Sequence, residues 1–150
     1  MKASTLNLVA TAALALAAAT AAAALPPIQH QGDVQYLSGG IGSDESDSIK
    51  QAASQFPLVL EFVQKATPHD EYLANIAVSV IDHRGRSVLE ATSDGPFLLA
   101  RLPSGEYTVK ANYDGRTLEK MVHVADHASA RAVFVWPGSH SVHSLKGSSS

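Results

Sequence analysis

A mainly β chain, folded as a β-sandwich with Greek-key connections behind a single helix, is what this sequence predicts, on three observations. Apolar residues recur at every second position through several short runs. Tight-turn residues, among them Asp114-Gly115, Pro103-Ser104-Gly105 and Asp82-His83-Arg84-Gly85, separate those runs at regular spacing. Only one stretch, after Ser43, repeats its apolar residues at helical spacing.

The chain opens on Lys2 and an alanine-rich apolar run from Leu6 to Ala19, with Ala22-Ala23-Ala24 before Leu25. A positive start, an apolar core and small residues at the end are the pattern of a secretory signal peptide over 1–24. Retention of this run as a membrane anchor is the competing reading, since it reaches Leu25, but alanine is a weak membrane former. The sequence has no cysteine, which excludes a lipid-modified cysteine, disulfides, thiol catalysis and thiolate-bound zinc together. Loss of Lys2 with the signal would take the formal charge from −3 to −4, which argues against nucleic acid or an anionic membrane as partner. The expected location is periplasmic or secreted, with no membrane association after cleavage.

Residues 25–57 read as an extended leader with Pro26-Pro27, a short strand at Val34 to Leu37, a flexible turn Gly39-Gly40-Ile41-Gly42, and the helix. Ser43 is the expected N-cap, and Asp44, Glu45 and Asp47 complement the dipole in the first turn. Ile49, Ala52, Ala53 and Phe56 form one narrow apolar stripe, and Pro57 ends the helix, which should lie across an edge or open end of a sheet.

Residues 58–137 carry the sandwich. Leu58 to Val63 is apolar on both faces and reads as a central strand. Ala66 to Tyr72 is a polar loop. Ile76, Val78 and Val80 form the next apolar face, and Gly85 stands at the left-handed position of a bulged hairpin leading to Val88 to Thr92. In the stretch from Ser93 to Val124, Phe97 and Leu99 alternate, and Tyr107, Val109, Ala111 and Tyr113 share a face. A two-residue Asp114-Gly115 turn then sets Tyr113 opposite Arg116, Ala111 opposite Leu118, Val109 opposite Lys120 and Tyr107 opposite Val122. The last strand, Ala130 to Trp136, alternates Ala132, Phe134 and Trp136 with Val133 and Val135. The serine-rich residues 138–150 read as a disordered tail.

The string Gly95-Pro96-Phe97-Leu98-Leu99-Ala100-Arg101-Leu102-Pro103-Ser104-Gly105-Glu106-Tyr107 resembles the carboxypeptidase regulatory-like, or prealbumin-like, domain, in which alternating bulky residues precede Leu-Pro-x-Gly-x-Tyr. The upstream Val78-x-Val80-x-Asp82-x-x-Gly85-x-x-Val88 and the downstream Val122-x-Val124 are similar as well, so the likeness covers about Ala74 to Val124. It implies a seven-stranded Greek-key, prealbumin-like or Ig-like sandwich, of the kind that serves as a non-catalytic accessory or ligand-binding module on exported proteins. The glycine-rich turn and helix are additions to that pattern.

No catalytic constellation stands out. The related transthyretin-like hydrolases end in Tyr-Arg-Gly-Ser, whereas this chain ends Lys146-Gly-Ser-Ser-Ser, and Tyr113-Asp114-Gly115-Arg116 is a hairpin turn. Asp44-Glu45-Ser46-Asp47-Ser48 has the spacing of a metal-dependent adhesion site but lacks the buried strand before it, and three carboxylates would repel a phosphate at the glycine turn. His30, His69, His83, His123, His127, His140 and His143 raise copper or zinc binding as an alternative, yet none pair at a ligand spacing, so no metal and no cofactor is expected. Trp136 is read as capping the end of the core, with Tyr36 and Tyr72 left unexplained. The expected role is an exported, non-catalytic module that docks a protein or carbohydrate of the cell envelope, with Asp44, Glu45, Asp47 and Tyr72 as its partner surface.

Overall fold

The computed structural model describes residues 25–138; the expected signal peptide and the tail beyond Gly138 lie outside them. In chain order the elements are β1 (Gln29–Gln31), β2 (Val34–Gly39), α1 (Ser43–Ala52), β3 (Leu58–Gln64), β4 (Glu71–Tyr72), β5 (Ile76–Asp82), β6 (Ser87–Ser93), β7 (Phe97–Arg101), β8 (Gly105–Tyr113), β9 (Arg116–Val124) and β10 (Ala130–Trp136). One sheet runs β1-β2-β7-β3-β10 with β4 added beside β3, and the other runs β6-β5-β8-β9. Among the described residues the chain is mainly β, with two sheets and one α-helix. The same described residues form ten strands, where the resemblance implied a sandwich of seven. β1 falls in the segment read as leader and β4 in the segment read as loop. Both are short and exposed on both faces, so no apolar alternation marked them. Nor is 25–57 an appendage to a separate sandwich, because β2 pairs with β7 within the larger sheet.

The hairpin from Gly105 to Val124 has the register that its turn dictates, Tyr113 facing Arg116, Ala111 Leu118, Val109 Lys120 and Tyr107 Val122. Asp114 and Gly115 both have positive φ, 51° and 76°, as a type I′ turn requires. Lys120 reconciles its place on the apolar side by staying exposed with Nζ 5.9 Å from the Phe134 ring centroid, its stem along the core edge. Gly115→Val puts a β-branched side chain at that φ and should cost about 1 kcal/mol or more, read by urea unfolding. An unchanged midpoint would contradict the turn. The Asp82 hairpin has the expected left-handed Gly85, φ 79°. Its Asp82 carboxylate accepts from the Arg84 and Arg86 amides, 2.9 Å each. The Arg86 amide foremost holds the Asp82 carboxyl below its ordinary pKa, against the pull of burial.

β7 and the strand that follows it belong to different sheets. β7 lies in the larger sheet while β8 and β9 lie in the smaller, so Leu102 to Ser104 carries the chain from one sheet to the other. The motif residues lock that crossing. Leu102 is buried in the core, and the Tyr107 hydroxyl donates back to the Pro103 carbonyl at 2.7 Å. Burial, with the Asp82 charge second, pushes the Tyr107 phenol's pKa up.

The two sheets enclose one apolar core. Leu60, Phe62, Leu98 and Phe134 enter it from the larger sheet, and Ile76, Val80, Leu89 and Val109 from the smaller. Each such side chain contributes about 1.5–3 kcal/mol on removal from water. Trp136 closes one end as expected, its ring near Phe62, Phe134 and Tyr113 and its Nε1 donating to the Arg116 carbonyl at 2.9 Å. Tyr36 is buried too, its hydroxyl donating to Gln29 Oε1 at 3.0 Å. β10 pairs with β3 in parallel, Ala130 beside Leu58 and Trp136 beside Gln64.

The helix is where sequence and structure differ most. Gly42, not Ser43, is the N-cap (φ 87°, ψ 149°), and no side chain caps it. Glu45 instead reaches back to accept from the Gly40 amide at 2.7 Å, so the turn read as flexible is held, with Gly39 and Gly40 buried. Past α1, Ala53–Gln55 forms a 3-10 turn before Phe56 turns extended. The stripe Ile49, Ala52, Ala53 and Phe56 is buried as expected, but not over a sheet edge. It lies on the outer face of the larger sheet, against Leu37, Val59, Phe97 and Leu99, in a second apolar cluster. Ser129 donates to the Ala53 and Phe56 carbonyls, and Arg101 to that of Gln55 at 3.1 Å, satisfying groups at the helix's end.

Candidate functional site

Because side chains alternate along a strand, the residues of the larger sheet that do not enter the core form an outer face. α1 covers only part of it. On β3 and its neighbours the register sets Val63 beside both Tyr72 and Val135, and Glu61 beside both Phe97 and Val133. The result is an apolar row beyond the helix, with Tyr72 52%, Val133 40% and Val135 38% exposed around a nearly buried Val63. Tyr72 is the only exposed aromatic ring among the described residues. It sits 5.7 Å from the Phe97 ring, and Lys50 of α1 places Nζ 5.8 Å and 5.9 Å from the two ring centroids. A lysine over two rings is attracted to their negative faces and keeps its charge in water. Beside it a cleft of ≈ 230 Å³ has a floor of Ile49, Val59 and Phe97 under Lys50, Glu61 and Arg131.

The four residues expected to form a partner surface are therefore divided. Asp44 and Asp47 are exposed near the helix start, whereas Glu45 is half-buried and committed to Gly40. Tyr72 stands on the apolar row, with Lys50 Nζ 5.8 Å from its ring centroid. Val133 and Val135 were missed. They were recognisable as two valines on the outward side of a strand, but that signal does not say whether another element covers them. Ser46, also in the first helical turn, has a buried hydroxyl with no hydrogen-bond partner.

The histidines scatter. His30 is on β1, His69 in the β3–β4 loop, His83 in the β5–β6 turn, His123 exposed on β9 opposite Glu106, and His127 in the β9–β10 turn. His140 and His143 lie outside the described residues. Among the described residues no three His, Cys, Asp or Glu side chains group to hold a metal ion. The outer face of the smaller sheet carries a wider depression of ≈ 530 Å³ over Ala77 and Ser79, walled by Glu90, Lys110, Asn112 and Thr117. No aromatic ring lines it. Among the described residues no helix is long and apolar enough to cross a membrane. The chain matches no protein-family model and no curated protein sequence.

Proposed function

We propose that the protein is an exported, non-catalytic β-sandwich module that docks a protein of the cell envelope through the helix-bearing face of its larger sheet. The observation that carries this reading is the row of Tyr72, Val133 and Val135, which the fold leaves in water although the core and the helix absorb the other large apolar residues of that sheet. Such a row, rimmed by Lys50, Glu61 and Arg131, has the make-up of a small interface with an apolar centre and a polar rim. Exposed Asp44 and Asp47 add a negative end that favours a partner with basic groups, chiefly through the rate of encounter. A protein partner is favoured over a carbohydrate because Tyr36 and Trp136 are buried, leaving Tyr72 alone to stack on a sugar. The finer fold belongs to the same proposal. Without β1, β2 and β4, seven strands remain between Leu58 and Trp136, and the Tyr107–Pro103 lock gives the Leu-Pro-x-Gly-x-Tyr string a structural role like that expected of a prealbumin-like domain.

The test compares capture of envelope proteins by the wild type, by Tyr72→Ser with Val135→Ser, and by Met121→Ser, which alters an exposed side chain on the other sheet. The double variant should lose a partner that the wild type and Met121→Ser retain, at least tenfold. Asp44→Asn with Asp47→Asn should slow binding by a few-fold at low salt and less at high salt. Equal recovery by all variants, with folding intact, would remove this face from the function.

A further inference from the structure

Edge strands invite pairing with other chains, and β6 is an edge of the smaller sheet. At its middle, the Glu90 amide donates to Gln31 Oε1 at 2.5 Å and the Gln31 Nε2 donates to the Glu90 carbonyl at 2.8 Å. Both backbone groups of Glu90 therefore point away from β5, and one side-chain amide from β1 satisfies both. A primary amide presents a donor and an acceptor side by side, as the peptide group of an added strand does. Gln31 thus occupies the position of one residue of a strand that is not there.

Two further features discourage strand addition at the same place. The β5–β6 register slips between Val80 paired with Leu89 and Ile81 paired with Ser87, so Val88 bulges and the straight edge begins at Leu89. Alternation turns the Thr92 backbone groups to the same side as those of Glu90. A second copy docked antiparallel about Glu90 would exchange hydrogen bonds with this edge and bring two Glu90 carboxylates face to face, a repulsive pair.

We propose that the β6 edge is guarded against antiparallel pairing with a second copy of this chain, jointly by the Gln31 amide and the Glu90 charge. The amide half of the guard comes from β1, a three-residue strand exposed throughout, so lifting the N-terminal segment from β2 removes Gln31 and leaves the Glu90 charge as the remaining guard. This inference does not depend on the docking face, which lies on the other sheet.

The experiment is sedimentation of the full chain over a hundredfold range of concentration. Gln31→Ala with Glu90→Thr should shift towards twice the wild-type mass as concentration rises, by at least tenfold in association constant. Adding Thr92→Pro, which removes an outward amide that an edge strand does not need for folding, should return that variant to the wild-type mass. A folded double variant that sediments as the wild type does overturns the proposal. So does a dimer that survives Thr92→Pro, because it would pair elsewhere.

Discussion

Trp136→Ala should destabilise the protein by about 3–5 kcal/mol, a large part of the stability of an ordinary domain. The indole is 2% exposed, at the end of the core where three other rings meet it, with centroids 6.2 Å from Phe62, 6.1 Å from Phe134 and 5.9 Å from Tyr113. Alanine leaves a void that strands on both sheets would have to collapse to fill, and it leaves the Arg116 carbonyl without its donor. Trp136→Phe largely separates the two losses. It keeps most of the ring contacts while removing the hydrogen bond and part of the indole's volume, so it should cost about 1–2 kcal/mol. Urea unfolding followed by circular dichroism measures both. In the wild type the sole tryptophan gives a fluorescence transition that should coincide with it. A cost below about 1 kcal/mol for alanine would mean that the ring does not seal the core.

Gly95→Ala should cost about 2–3 kcal/mol, although it adds one methyl group. That methyl would lie 2.5 Å from the carbonyl carbon and oxygen of Gly39 and 2.9 Å from its Cα. The obstacle is backbone on both sides, where the turn before β7 crosses the end of β2, and no rotamer can relieve it. Nearby bonds also fix the crossing: the Ser93 hydroxyl donates to the Gly95 carbonyl at 2.8 Å, and the Asp94 amide to Ser38 Oγ at 3.1 Å. Gly32→Ala is the control, since a methyl there meets nothing within 4 Å and only its φ of 55° penalises it. It should cost about 1 kcal/mol. If the two substitutions cost the same in thermal unfolding, the close approach of Gly39 and Gly95 is not what the glycine at 95 is for.

Much of this fold could be read in advance where local chemistry decides. The Asp114-Gly115 turn admits a two-residue hairpin, and a period of two then assigns every partner from Tyr113 to Val124. The position of α1 was not legible in that way. Its stripe shows which side of the helix is buried but not what it meets. The clue lay elsewhere: Leu58 to Val63 and Phe97 to Ala100 are apolar on both faces, which demands a cover on each side of the sheet. β1 was hidden because Gln29, His30 and Gln31 face water throughout, and its place rests on β2 and on one glutamine amide. The candidate docking face was half legible. Tyr72 stood out as an aromatic without a core role. Its neighbourhood with Val135 is set by β3, which brings together segments far apart in the chain.

The parallel pairing of β10 with β3 has a consequence in time as well as in space. The last strand of the sheet lies roughly 70 residues downstream of the strand it joins, and it brings Phe134 and Trp136 into the core. A chain emerging from the ribosome cannot close that core until nearly all of its described residues have been made. Pairings that span so much sequence are slow to find, because loop closure must be completed before any contact rewards it. The β8–β9 pairing is by contrast local in sequence, closed by the two-residue Asp114-Gly115 turn. Closure of the core is therefore a late step, set by the arrival of β10 beside β3.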